Sequence, residues 1–310
     1  MGKSKRRHKK SKKQSSSRSP KKLILLERTS VVEIKKFKEF GEYYLRFHSD
    51  YYSTLAIQRS QVQNELKKAL MEATSRNFEF SEWKRIVRLK YSNKPLSVEG
   101  SIKSIGGRFN IGDISSPLVT RFPSLYLAED FYTAIKEVLS QGEKSADEVY
   151  TFALANKESF TSVSLRGRLD FIIDLNKPEK LQTFVDLIKN FTVPDYITLA
   201  AKKLNEKIDL IKTAQGLVNA LLIHNWRDWP MLFDIPTASQ IFGELVANAG
   251  IDGILYPSKQ TEKNCLAVFP QNFDTPDSYI ELEHETAPEV RIKRLDYDIW
   301  SKSSTELLGE

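Results

Sequence analysis

The chain has 310 residues, 40% of them hydrophobic and 28% charged, the composition of an ordinary globular protein of one or two domains; collagen-like, wholly disordered and membrane-spanning classes are excluded. Its formal net charge of +7 is local: residues 1–22 hold eleven Lys or Arg and no Asp or Glu, which leaves 36 basic against 40 acidic residues elsewhere and a mildly acidic body of about −4. A single cysteine, Cys265, excludes an intramolecular disulfide framework and any multi-cysteine metal site.

In chain order, residues 1–22 are Lys, Arg and Ser with almost nothing that can enter a core, and disorder is expected there. The basic amino terminus has no apolar stretch behind it, and no run reaches the roughly 20 apolar residues of a bilayer span, so neither a secretory signal nor a membrane partner is expected and the location is expected to be cytoplasmic. From residue 23 to about 80, Val31, Ile34, Phe37 and Phe40, then Leu55, Val62, Leu66 and Leu70, recur at helical spacing and predict a helical amino-terminal extension capping the main domain. Residues 85–89 read as a strand, Pro95, Gly100, Gly106 and Gly107 mark a loop, and residues 124–128 read as a second short strand. Glu129 and Asp130 then cap a helix that carries Phe131, Ala134, Ile135, Val138 and Leu139 on one face and stops at Gly142. Glu137 sits on the shoulder of that face.

The lysine-rich stretch from about 175 to 225 predicts a helical insertion, with Leu181, Phe184, Leu187, Ile188, Leu199, Leu204, Ile208 and Ile211 as its apolar stripe. Thr237 starts a further helix ended by Gly250, and strands follow at 253–256 and 265–269. Interleaved strands and helices place the main domain, about 81–275, in the mixed α/β or α+β class, with 276–310 as a carboxy-terminal segment.

The familiar cofactor signals fail. Gly107 and Gly112 have P-loop spacing, but Asp113 and Ile114 stand where Lys and Ser or Thr are needed, and no Gly-x-Gly-x-x-Gly occurs. His8, His48, His224 and His284 are scattered without metal-ligand spacing, and no base neighbours a plausible nucleophile, so neither a metal site nor a Ser-His-Asp triad is expected. What remains is a set of polar residues at strand and helix ends: Arg85, Arg108, Tyr126, Glu137 and Ser258.

Those residues lie in four segments, Arg85-Ile-Val-Arg-Leu-Lys-Tyr91, Gly106-Gly-Arg-Phe-Asn110, Leu125-Tyr-Leu-Ala-Glu-Asp130 with Ala134 and Glu137, and Gly253-Ile-Leu-Tyr-Pro-Ser258 followed by Asn264 to Pro270. In that order they resemble the RES domain family, named after its Arg, Glu and Ser. The likeness covers about 83–142 and 230–273, with a weaker match at Ile172 to Leu175, and leaves the tail and the extension out. It implies a compact fold similar to ADP-ribosyltransferase toxins and cleavage of NAD+ at the nicotinamide-ribose bond, with water or inorganic phosphate as acceptor. NAD+ is then a substrate, and no separate cofactor is implied. It also implies a toxin-like protein held by an antitoxin with a helix-turn-helix part. By motif, Arg85, Glu137 and Ser258 match the catalytic positions, and Arg108 and Tyr126 match substrate-binding ones.

Physical chemistry agrees with these roles. Guanidinium forks fit the oxygens of a pyrophosphate, as Arg85 and Arg108 require. Nicotinamide leaves as a neutral ring without a general acid, and a carboxylate such as Glu137 stabilises the ribosyl cation left behind. Ser258 is a hydrogen-bonding group, and Tyr126 stacks on or bonds the nicotinamide or ribose. Each residue also has a structural alternative: surface ion pairs for the arginines, a solvated helix face for Glu137, a turn or N-cap for Ser258, core packing for Tyr126. Gly106 and Gly107 suit a tight turn that Asn110 holds. The rival functions are ADP-ribosyl transfer to a macromolecule and nucleic-acid association through residues 1–22. The long additions suit an enzyme that has drifted from a toxin role or that carries its own regulator.

Overall fold

The computed structural model describes residues 30–114, 119–139 and 160–309. The basic tail and the helix stop expected at Gly142 lie outside the described residues. The chain divides into two units, Met1–Tyr44 and Leu45–Glu310.

Helix α1 runs Val31–Gln61. Ser30 and Glu33 cap it reciprocally, the Glu33 amide donating to the Ser30 hydroxyl at 3.3 Å and the Ser30 amide to the Glu33 carboxylate at 2.8 Å. In the first unit, the expected apolar stripe Val31, Ile34, Phe37 and Phe40 is exposed. In the second unit, α1 buries Phe47 and Tyr51 against Ile197, Ala200 and Ala201. Helix α2, Gln63–Glu72, buries Leu66 and Leu70 completely in the main core, so this part of the extension is integral to the domain. Strand β1 begins at Ser75, ahead of the boundary expected at 80, and runs to Arg88, because Phe78, Phe80 and Trp83 pack on the sheet.

Strands β4 (Leu125–Ala128), β5 (Phe160–Asp174), β6 (Gly253–Pro257) and β7 (Asn264–Val268) join β1 in the order β1-β4-β7-β6-β5, and β1 also pairs with β5, which closes the five into a ring. β8 (Tyr279–Leu282) pairs with β5 and β9 (Arg294–Asp296) with β8, so residues 276–310 extend the sheet instead of forming a separate segment. β1 and β5 pair antiparallel along most of their lengths, with one bulge between Phe80 and Trp83 where Glu82 adopts φ +59°. A two-stranded ribbon, β2 (Gly106–Gly107) and β3 (Asn110–Ile111), stands apart.

Side chains alternate across the ring as strand geometry dictates. Leu125, Leu127, Leu255, Leu266 and Val268 point into one core with Leu96, Val98 and Leu307, the last from the terminal helix Tyr297–Leu308. Tyr126, Ala128, Ile254, Tyr256, Cys265 and Ala267 point into the other, which is covered by α2 and by the first and third of the insertion's helices. The insertion's helices, Gln182–Ile188, Asp195–Leu204 and Ala214–Leu221, occupy the region expected for them. Leu199, expected in the apolar stripe, is 57% exposed; Ile197, Ala200 and Ala201 form the buried face, and Leu199 falls on the other side of the turn. Asp252, at the entry to β6, is buried, accepts from the Phe171 amide at 3.1 Å and the Ser278 hydroxyl at 2.8 Å, and burial pushes its carboxyl up to about 6.

Candidate active site

The face carrying Tyr126, Ala128, Tyr256 and Cys265 opens into a cleft of about 610 Å³ that Arg85, Arg108 and Glu137 also line. Ser258 lies beside it at the end of β6.

Glu137 comes from helix α4, Phe131–Leu139. The helix starts where expected, but Asp130 alone caps it, its carboxylate accepting from the Thr133 amide at 2.7 Å. Glu129 instead accepts from the amide and side chain of Asn264 at 3.0 and 3.1 Å, which ties β4 to the start of β7. Ala134 packs into the core, so the helix phase brings Glu137, three residues on, to the cleft. There the Ser258 hydroxyl donates to a Glu137 oxygen at 2.6 Å. Ser258 is 2% exposed, and its oxygen accepts from the Gln260 amide at 3.1 Å, so its rotor is fixed and its proton aims at the carboxylate.

Arg85 is anchored by neutral acceptors. It donates to the carbonyls of Ser97 at 2.8 Å and Tyr126 at 3.4 Å, and its buried Nε has no partner. Burial without a countercharge lowers its pKa to about 10, which leaves it cationic at neutral pH. Arg108 likewise donates to the carbonyls of Ile223 at 2.8 Å and Leu221 at 3.3 Å. Neither forms an ion pair among the described residues, which sets aside the surface-ion-pair alternative.

The loop that carries Arg108 is built to hold one shape. Gly106 sits at φ +86°, where a side chain would meet the Asn110 carbonyl, and Gly107 lies against the Tyr126 ring and hydroxyl with no room for a Cβ. Asn110, fully buried, accepts from the Gly107 amide and the Tyr126 hydroxyl, both at 2.9 Å, and donates to the carbonyls of Ser101 and Phe122 at 2.7 and 3.0 Å. The Tyr126 hydroxyl also accepts from the Phe109 amide at 2.9 Å, and burial raises its pKa. Its hydrogen-bonding capacity is therefore committed to the loop, while its ring lines the cleft.

Gln240 was not singled out from the sequence. It is the third residue of helix α9, Ala238–Asn248, where it completes a capping box with Thr237, and its amide donates to the carbonyls of Ile105, Gly107 and Asn110 at 2.7, 3.2 and 3.1 Å. The readable part was Thr-x-x-Gln; that its amide also clamps a loop some 130 residues away in sequence is tertiary. Trp226 and Arg227, at the end of the insertion, are cleft residues that sequence reasoning did not single out. Cys265 and Tyr256 lie on the cleft floor with their pKa values raised by burial, so the thiol is neutral and no thiolate nucleophile is present.

All five expected residues thus come together from segments spread over more than 170 positions. The RES domain model matches residues 82–289. The chain belongs to the RES domain family. A chain of the crystal structure of the M. tuberculosis MbcT-MbcA toxin-antitoxin complex is similar at 17% identity, over 79% of this chain and 98% of that one, with a TM-score of 0.40. No curated protein matches the chain. The RES match begins at residue 82, inside β1, and so leaves out α1 and α2. It runs through the insertion to residue 289 and includes β8. Among the described residues no group of three or more His, Cys, Asp or Glu is placed to hold a metal, and no helix is long and apolar enough to cross a membrane.

Proposed function

We propose that this RES domain cleaves NAD+ at the nicotinamide-ribose bond and passes the ADP-ribosyl group to water or inorganic phosphate. The observation that supports this most is the Glu137 carboxylate, held at 2.6 Å by a buried serine in a cleft that Arg85, Arg108 and Arg227 also line. Arg85 and Arg108 take the pyrophosphate. The C1′–N bond breaks with both electrons going to the nicotinamide nitrogen, which turns a pyridinium into a neutral ring. The positive charge passes to the ribose, where the Glu137 carboxylate stabilises it. The acceptor oxygen then bonds to C1′; for water, the released proton passes by way of Glu137 to solvent. Ser258 keeps the carboxylate aimed, and its buried hydroxyl has no base to make it a nucleophile.

Membership of the RES family supports a toxin-type origin, with an antitoxin as the expected partner. The decisive experiment incubates the protein with NAD+, with and without phosphate, and identifies the products. Nicotinamide with ADP-ribose, or with its phosphorylated form when phosphate is present, is expected. Glu137→Gln is expected to lower turnover about 100-fold or more with the fold intact, because it deletes a charge needed chiefly in the transition state. Intact NAD+, or wild-type turnover by the Gln variant, overturns the proposal; label transferred to a macromolecule replaces the acceptor.

A further inference from the structure

The helical insertion supplies two cleft residues that the reaction outlined above does not use. Trp226 is buried, and two guanidinium groups approach its ring: Arg227 with its central carbon 4.4 Å from the ring centroid, and Arg108 at 5.7 Å. The two cations come from segments over a hundred residues apart, and both line the cleft. Arg108 spends one terminal nitrogen on the carbonyls of Leu221 and Ile223, the residues that lead into Trp226. The Arg227 guanidinium makes no hydrogen bond and no ion pair among the described residues, so its donors stay open. Like charges gathered on one ring repel, and Arg227 is held below the ordinary range first by burial and then by Arg108, with Glu137 acting in the opposite sense. A fold tolerates such a pair when an anion is to be placed between them, because each guanidinium presents a planar fork to phosphate oxygens.

We propose that Arg227 and Arg108, splayed on Trp226, form a clamp for a diphosphate group, so that the insertion contributes a substrate-binding arginine to the RES cleft. The clamp deepens the NAD+ reading by adding Arg227, a residue outside the motifs, to Arg108 as a holder of that substrate's pyrophosphate, and it rests on that reading only for the identity of the molecule that carries the diphosphate.

The test titrates inorganic pyrophosphate into the full chain and follows tryptophan emission; the part of the change that disappears in Trp226→Phe reports anions reaching this ring, independently of any held by the basic tail. Arg227→Gln is expected to raise the half-saturating pyrophosphate concentration about 10- to 100-fold, the loss typical of a charge-assisted contact, and Arg227→Lys to recover part of it as a point charge without the fork. NAD+ turnover of the same variants is expected to show a raised KM with kcat largely kept. A wild-type half-saturation in Arg227→Gln, or no Trp226-dependent response in the wild type, overturns the clamp even if NAD+ is cleaved. An Arg227-dependent response in a protein that leaves NAD+ intact keeps the clamp and discards the NAD+ reading.

Discussion

Tyr126→Phe separates two roles for a residue expected to touch substrate. The tyrosine hydroxyl accepts from the Phe109 amide and donates to Asn110, both at 2.9 Å, inside the loop that presents Arg108. Removing it leaves the Asn110 oxygen with its bond from the Gly107 amide, but strands the amide of the fully buried Phe109. An unsatisfied buried donor costs about 1–3 kcal/mol, and each kcal/mol lowers the Tm of a domain this size by about 2–4 °C. The ring stays, so the cleft wall is kept. Calorimetry is therefore expected to show a lower Tm, and steady-state kinetics a KM raised several-fold through a loosened Arg108, with kcat changed less. An unchanged Tm and KM together with a collapsed kcat would refute this reasoning and make the hydroxyl a group that acts on the substrate itself.

Three further outcomes follow from the same geometry. Ser258→Ala removes the 2.6 Å bond to Glu137 and is expected to lower kcat about 10- to 100-fold while leaving measurable cleavage; loss to the uncatalysed rate would show the serine taking part in the chemistry. The Asp252 carboxyl, raised by burial to about 6, binds a proton more tightly folded than unfolded, so the fold gains stability as pH falls: about 1.4 kcal/mol between pH 7.5 and 5, and denaturant titrations should find that gain missing in Asp252→Asn. A chain starting near Leu23 should keep full activity but lose the salt-sensitive part of any nucleic-acid retention, since eleven of the cations precede that point; equal retention by the two chains would leave the tail without a tethering role.

Much of the site was legible because its residues sit at element ends that sequence punctuation marks. Asp130 marked the start of one helix and Gly250, at φ +79°, the end of another to within a residue or two. The short apolar runs of β6 and β7 were equally plain. The long β5 was harder. Its Leu165, Gly167 and Leu169 alternate with Arg166, Arg168 and Asp170, and only its end, from Ile172, was singled out; its length rests on pairing with β1 and β8 on both sides. Asn110's hold on the Arg108 loop was legible, but the clamp by Gln240 was hidden for another reason: it acts on backbone carbonyls, which no residue type at the far end can signal. Trp226 and Arg227 were hidden because the insertion's lysines look like any solvated face.

The way the arginines are held bears on what the cleft is for. Arg85 and Arg108 are both fixed by carbonyl oxygens, and Arg227 rests on a ring. Carboxylates were available in a body with a net charge of about −4, and an ion pair would have fixed these side chains as firmly. A carboxylate partner, however, cancels the field it stabilises, whereas a carbonyl satisfies the donor and leaves the positive charge to act across the cleft. Glu137, an acid on the same wall, is bonded to a neutral hydroxyl and not to a cation. Opposite charges kept apart in this way suit a ligand that is anionic at one end and turns cationic at the other as its bond breaks, and they stand poised to stabilise both before either end has reacted.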